Sequence, residues 1–516
     1  MRMIPPKCPL LWQLLTSVVC CSLWNVFTLC EAKTVVVSFD GFRWDYMHIY
    51  REQLPTFWKL AEEGVHVEQG LINAFITKTC PNHRTISTGM WEENHGMVAN
   101  NFWAPDVNAS FDFSKNNFSF WKEAEPFWTS AEKQNVTSVC LQFPGCAVKE
   151  QQATYTLGLP YSNDYSWKSI VDNMTLYFNK EQNPAQFAVL YYYEPDHTGH
   201  EHGPHSDEMR AKLVEVDGYL EYLLSKLSTE HDDVIITSDH GMASVSTDHV
   251  ISIQGYLNES YYDHAFFSAY TEALLYSKNG FHDMLMQDVQ HFINDHPNFT
   301  AYSRADIPEH WHYKYNERIP DILIVADYGW LLVDRQDSID YLKGKNIIGQ
   351  HGFDNLRLEM HPVFVARGPS FRKNFTLPPG QMESVDIYPL VGSIVGFATD
   401  KTNGSLSHVL PLLASSSGKT SSLTQLVPMY VVELGGSLLI LLALCLVYSL
   451  FILVTGRDCC LRETEEASKK RMYLLPSDLD DEENDDQLFS LEEKEQASMP
   501  FLQKDRNKTR LTSQHS

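Results

Sequence analysis

Unbroken runs of β-branched and aromatic residues, rather than alternating ones, mark the strands of this chain. Thr34 to Phe39 (TVVVSF) is the first, and it ends at Asp40-Gly41, a tight turn after a buried strand. Phe187 to Tyr193 (FAVLYYY) ends at Glu194-Pro195-Asp196, and Asp233 to Ser238 (DVIITS) ends at Asp239-His240-Gly241. Ile322 to Ala326 and Val363 to Ala366 have the same character. Across Asp207 to Leu227, residues Met209, Leu213, Val216, Leu220, Leu223, Leu224 and Leu227 recur at helical spacing. Strands alternating with helices predict an α/β fold: a mostly parallel central sheet flanked by helices, with right-handed crossovers.

Two apolar stretches stand apart from this pattern. Leu10 to Phe27 follows Arg2 and Lys7, which predicts a secretory signal peptide over residues 1–32, with a core long enough to serve instead as an uncleaved anchor. Leu434 to Thr455 is 22 residues without a charge, enough to cross ~30 Å of hydrocarbon at ~1.5 Å per residue. Arg457, Arg462, Lys469, Lys470 and Arg471 follow it and place that side in the cytosol. The expected organisation is an ectodomain at 33–404, a polar stalk at 405–428, a single transmembrane helix at 429–455 and a disordered cytoplasmic tail at 456–516. That is a single-pass type I protein of the cell membrane with its large domain outside. Eight Asn-x-Ser/Thr sequons, at Asn108, Asn117, Asn135, Asn173, Asn258, Asn298, Asn374 and Asn403, are glycan sites under this arrangement.

Composition narrows the function. Of 516 residues, 40 are Lys or Arg and 66 are Asp or Glu, a net charge of −26. A field of that sign repels phosphate backbones, so nucleic-acid polymers are disfavoured partners. Cysteine is sparse in the ectodomain: Cys140 and Cys146 are close enough to bridge a short loop, and Cys80 is left over. The domain must therefore stand on an apolar core. In the tail, Tyr473-Leu474-Leu475 and a run of acids make cytoplasmic sorting adaptors conceivable partners.

Ligands of an open α/β sheet sit beyond the carboxyl ends of its strands. Three strands here end in acids, at Asp40, Asp196 and Asp239. Asp-His occurs five times, so the pair alone means little; Asp239-His240 stands out because it caps a buried strand and precedes Gly241. Asp196 and His200 are four apart, and a helical turn would put both on one face. Carboxylate, imidazole and hydroxyl donors without a thiolate cluster suit Zn²⁺, and two such ions about 4 Å apart suit in-line phosphoryl transfer.

The chain resembles the ectonucleotide pyrophosphatase/phosphodiesterase family of the alkaline phosphatase superfamily. The likeness is carried by Ser38-Phe-Asp-Gly-Phe-Arg43, Thr77-Lys-Thr-Cys-Pro-Asn-His83, Thr88-Gly89, Asn94-His-Gly96 and Ala99-Asn100. It continues through Glu194-Pro-Asp-His-Thr-Gly-His200, Thr237-Ser-Asp-His-Gly-Met242 and His351-Gly352, in family order over about residues 34–400. The short form looks most like members four and five, with Trp311-His-Tyr-Lys-Tyr-Asn316 leaning toward member five.

The resemblance implies an alkaline-phosphatase-like fold with two zinc ions per subunit. Asp196, His200 and His351 would hold one; Asp40, Asp239 and His240, with the Thr79 oxygen, would hold the other. Thr79 would be the nucleophile and pass through a phospho-threonine intermediate. Asn100 would donate to a non-bridging phosphate oxygen, with Lys78 beside it, and Tyr161 would stack on a nucleobase. The implied activity is cleavage of extracellular nucleotides or dinucleotides to 5′-monophosphates, and one oxygen facing Asn100 without an arginine clamp favours diesters over monoesters. Two departures bear on the substrate: Cys80 stands where nucleotide-cleaving relatives commonly have an aromatic, and Arg84 where tyrosine is frequent. The alternatives are a lysophospholipid or choline phosphodiesterase, and a non-catalytic surface protein on the same fold.

Overall fold

In a computed structural model, the described residues are 32–112, 115–156, 162, 164–268, 270–345, 349–399 and 401–414. Contacts divide the chain into 1–417 and 418–516, and the second unit lies wholly outside the described residues. The signal peptide expected at 1–32, apart from its last residue, and the tail expected at 456–516 also fall outside them.

Among the described residues, twelve of the strands build the two larger sheets. In chain order they are β1 (Thr34–Phe39), β2 (Val65–Val67), β3 (Ser138–Leu141), β4 (Tyr155–Thr156), β5 (Phe187–Tyr192), β6 (Asp233–Thr237), β7 (Tyr262–Ser268), β8 (Glu272–Ser277), β9 (Phe299–Ser303), β10 (Ile322–Ala326), β11 (Phe364–Arg367) and β12 (Phe375–Leu377). The main sheet runs β12-β2-β11-β6-β1-β5-β3-β4. β1 pairs in parallel with both β5 and β6, as do β3 with β5 and β4 with β3; only β11 lies antiparallel to its neighbours. The mostly parallel sheet expected of the sequence is present. Its strands are continuous apolar runs because both faces are covered. Val35, Val37 and Phe39 enter one core, while Val36 enters the other.

The run Ile322–Ala326 does not join this sheet. It is β10 in a second, antiparallel sheet ordered β7-β8-β10-β9. One face, with Ala273, Leu275, Ile322 and Ile324, packs on the helix His282–Asp295; the other, with Leu274, Tyr276, Leu323 and Val325, faces a separate aromatic core. A strand covered on both faces reads the same in either kind of sheet, so its sequence could not tell them apart.

Five helices matter below: α1 (Pro55–Glu63), α2 (Thr79–Thr88), α3 (Trp167–Phe178), α4 (Asp196–His202) and α5 (Asp207–Leu224). Helix α5 buries Met209, Leu213, Val216, Leu220 and Leu223, the stripe read from the sequence, and Asp217 on it accepts the N–H groups of Thr56 and Phe57 at the start of α1.

The transmembrane expectation is corrected. Among the described residues no helix is long and apolar enough to cross a membrane, and the segment 429–455 itself lies outside them. The longest described helix, α5, has 18 residues and carries Glu208, Arg210, Lys212, Glu215 and Glu221, a polar face that hydrocarbon would not accept. The expected placement as a single-pass type I protein of the cell membrane finds no spanning helix among the described residues.

Trp167 of α3 is fully buried beneath β1 and β5, with its ring 5.1 Å from Phe39 and 5.6 Å from Tyr192. Its Nε1–H donates to the Tyr219 carbonyl at 2.7 Å. Trp167→Ala should cost about 3–5 kcal/mol, read as a lower denaturant midpoint at unchanged slope.

Candidate active site

Three adjacent strands deliver three acids to one edge. Phe39 pairs with Tyr192 and Ser38 with Thr237, so β5, β1 and β6 finish level. Asp40 follows β1 directly, Asp239 stands two residues beyond β6, and Asp196 opens α4 just past β5. The turns then lock together. Asp196 N–H donates to the Asp40 carbonyl at 2.9 Å, and Gly41 N–H to Asp239 Oδ1 at 3.1 Å. Gly41 has φ +67°, and a Cβ there would stand 2.8 Å from the Asp196 Cα, so only glycine lets the two turns meet.

Histidines complete the cluster. The segment Asp196–His202 is helical, and one turn on from Asp196 the His200 Nε2 lies 3.3 Å from Asp196 Oδ2. His351 follows the short strand Gly349–Gln350, with Nε2 3.6 Å from Asp196 Oδ1. His240 Nε2 lies 3.4 Å from Asp40 Oδ1 and 3.2 Å from Asp239 Oδ2. Each of the three rings donates its Nδ1–H to a backbone carbonyl: His200 to Gly349 at 3.0 Å, His240 to Gly241 at 2.9 Å, His351 to Thr77 at 2.8 Å. Those bonds select the tautomer in which every Nε2 lone pair points into the cluster, the form a metal requires.

The carboxylates show the same preparation. Asp40 Oδ1, Asp196 Oδ1 and Asp239 Oδ2 are buried without a hydrogen-bond partner. The other oxygens of Asp40 and Asp239 are held: Asp40 Oδ2 accepts from Tyr191 Oη at 2.5 Å, and Asp239 Oδ1 accepts from the N–H groups of Gly41 and His240. Burial, then the Asp239 and Asp196 charges, push the Asp40 carboxyl well above its ordinary range. Burial raises Asp196 too, but His200, then His351 and His240, outweigh it and hold that carboxyl below the usual range. Burial and the neighbouring His240 push His351 far down. Three converging carboxylates and three imidazoles whose Nε2 atoms face them fit divalent cations. Two donor groups each have ligand atoms within 4.8 Å of one another: Asp40, Asp239 and His240, and Asp196, His240 and His351. A third group, Glu383, Asp386 and His408, is different in kind. Asp386 there already accepts from the N–H groups of Glu383 and Ser405 and pairs with the His408 ring.

Thr79 opens helix α2, and its Oγ1 lies 3.5 Å from His240 Nε2. It borders a cavity of about 320 Å³ shared with Asp40, Asn100, Asp196, Tyr193 and His197. Asn100 Oδ1 accepts the Cys80 N–H at 2.9 Å, which turns the amide so that Nδ2 is its remaining polar group. The start of α2 adds its partial positive charge. Lys78 is elsewhere: its ammonium is fully buried in an ion pair with Glu272, and burial pulls it down to about 8.

Tyr161 lies outside the described residues. Cys80 is buried in the aromatic core with Phe75, Ile76 and Met97, away from the cavity. Arg84 is structural, donating to the carbonyls of Trp121 and Ala124. Cys140 and Cys146 form a disulfide. Of the sequon asparagines, Asn108, Asn117, Asn135, Asn258, Asn374 and Asn403 are exposed, and Asn173 and Asn298 half-buried. Sequence reasoning assigned no role to Tyr191, Tyr193, His197 or His83. His83 donates from Nδ1 to the Thr79 carbonyl at 2.7 Å, which leaves Nε2 to accept from Ser38 Oγ at 2.9 Å. The signal available for Tyr191 and Tyr193 was their place at the end of β5; for His83, its place four residues after Thr79 in the same motif.

Residues 34–354 match the family described as type I phosphodiesterase/nucleotide pyrophosphatase. Human ectonucleotide pyrophosphatase/phosphodiesterase family member 5 is 38% identical over 402 residues, 77% of this chain and 81% of that one. Human bis(5′-adenosyl)-triphosphatase ENPP4 is 35% identical over 388 residues, covering 74% and 82%. The murine ectonucleotide pyrophosphatase/phosphodiesterase 5 structure superposes with a TM-score of 0.67 at 37% identity, covering 74% of this chain and all of the other. An inactive Thr-to-Ala form of that murine protein is in complex with AMP, with a TM-score of 0.67 at 36% identity over the same shares. On this likeness in sequence and fold, the chain belongs to the ectonucleotide pyrophosphatase/phosphodiesterase family of the alkaline phosphatase superfamily, a family of metal-dependent hydrolases of phosphodiester and nucleotide pyrophosphate bonds.

Proposed function

We propose that this chain is a two-zinc phosphodiesterase that cleaves nucleotides or dinucleotides to 5′-monophosphates, with Thr79 as its nucleophile. The observation that carries the reading is the unpartnered oxygen on each of Asp40, Asp196 and Asp239, facing Nε2 atoms that backbone carbonyls have left as acceptors. Asp196, His200 and His351 would hold one zinc, and Asp40, Asp239, His240 and Thr79 Oγ1 the other. Bound there, the ions supply activation of a hydroxyl and neutralisation of the anion that an acidic protein would otherwise repel.

The chain's own groups do the rest. Thr79 Oγ attacks phosphorus as the leaving alkoxide or phosphate departs, leaving a phospho-threonine that water hydrolyses to the 5′-monophosphate. Asn100 Nδ2 donates to a non-bridging oxygen, with its amide oriented by the Cys80 N–H. His83 holds the Thr79 carbonyl from below. No Lys or Arg is among the described residues that line the cavity, which suits a diester better than a more highly charged monoester. Nucleotide substrates are supported by the names of the relatives and by the AMP complex of the murine protein. Because Cys80 lies in the core, its departure from the family pattern does not argue for a lipid substrate. The exposed sequon asparagines are the proposed glycan positions.

Thr79→Ala should lower turnover of a dinucleoside polyphosphate more than ~10³-fold while AMP and zinc still bind, followed by product chromatography and calorimetry. Unchanged cleavage would sink the reading. Asn100→Ala should cost about 10²–10³ in kcat. Tyr191→Phe strips Asp40 Oδ2 of its donor. Zinc affinity should fall about 10–100-fold in chelator competition, at a folding cost of about 1–3 kcal/mol.

A further inference from the structure

Glu272 touches no part of the cavity, yet it closes a ring of contacts that ties the segment before Thr79 to His351. It begins β8 of the second sheet and is 2% exposed. One carboxylate oxygen pairs with the Lys78 ammonium, itself fully buried. The other accepts from Thr271 Oγ1 at 2.6 Å, and that hydroxyl also stands 3.2 Å from the His351 carbonyl. From the opposite side, His351 Nδ1–H reaches the Thr77 carbonyl, and Gly352 N–H donates to Thr77 Oγ1 at 2.9 Å. Gly352, at φ +105°, is pressed so close that a Cβ would stand 2.1 Å from Thr271 Oγ1 and 2.9 Å from Lys78 Cε. Two chain segments, 77–79 and 351–352, are thus clamped on either side of one buried acid.

We propose that Glu272 is a positioning residue: through Lys78 and Thr271 it fixes the distance between Thr79 and His351. The proposal rests on the roles given to those two residues above. Lys78 precedes Thr79 directly, so a shift of the buried ammonium moves the backbone that carries the nucleophilic oxygen. His351 is held by the same carboxylate through Thr271. An ångström lost in such an alignment costs about a hundredfold in rate. A buried pair is well suited to the task, because neither charge can leave its partner for water.

Three variants of the full chain test this: Glu272→Gln, Lys78→Met and the double variant Lys78→Met/Glu272→Leu. They are assayed on a dinucleoside polyphosphate well below each melting temperature, with zinc affinity measured by chelator competition. Glu272→Gln should lower kcat about 10–100-fold with KM nearly unchanged, and weaken zinc binding about tenfold. The double variant leaves no unpaired charge, so it should regain at least ~10-fold over Lys78→Met. Wild-type kcat and zinc affinity in Glu272→Gln would overturn the proposal. So would a double variant no faster than Lys78→Met, since Lys78 would then act by its own charge. If Glu272→Gln does not fold, the double variant against Lys78→Met still decides. Wild type and Thr79→Ala run alongside show separately whether the nucleophile assignment holds.

Discussion

Because Thr34–Phe39 pairs in parallel with both of its neighbours, and in register, three strand ends arrive at one edge of the sheet at the same height. Everything in the candidate site follows from that pairing. A slip of one residue along β1 would turn Val35, Val37 and Phe39 out of their core and exchange them with Val36, so burial on both faces holds the register. The acids need no long side chains or flexible loops to converge. They stand one, two and four residues beyond the ends of strands whose register burial fixes.

Converging carboxylates repel one another, and the structure meets that cost with a dense shell of donors. Tyr191 and the N–H groups of Gly41 and His240 satisfy one oxygen of Asp40 and of Asp239 and leave the other bare. Backbone carbonyls do the same for the imidazoles, since an Nδ1–H bound to a carbonyl leaves Nε2 as the acceptor. The site is thus assembled by main-chain groups as much as by side chains, which explains the tight glycine contacts at Gly41 and Gly352. A cluster of acids and histidine without such bare atoms, as at Glu383, Asp386 and His408, is a helix-capping arrangement and nothing more.

The second sheet is more than an appendage. Glu272, at the start of its interior strand β8, pairs with Lys78 next to the nucleophile, and the sheet's aromatic face shares a core with Cys80 and the segment Met97–Ala99 that leads to Asn100. That packing accounts for the fate of two residues that looked like substrate contacts in the sequence. Lys78 is drawn inward by a buried acid, and Cys80 faces Phe75 and Met97 instead of a nucleobase.

Much of the fold was legible because it rests on local composition. Continuous apolar runs marked β1, β5 and β6, and helical spacing marked α5. The acids that cap those strands could be named for the same reason, as could Asp196 and His200, whose spacing of four needs only one helical turn. What the chain alone could not decide was which sheet Ile322–Ala326 would join, since burial on both faces looks alike in either. Nor could it decide which way a side chain next to the nucleophile would point. Lys78, Thr79 and Cys80 are consecutive, yet one pairs with Glu272, one borders the cavity and one enters the aromatic core. Those outcomes depend on partners some two hundred residues away in the chain: Glu272 for Lys78, and for Cys80 a core that includes Leu274 and Tyr276. Local sequence determined the strands and the acids at their ends; long-range packing decided the direction of every group around them, because only the folded contacts choose among rotamers that a free chain samples equally.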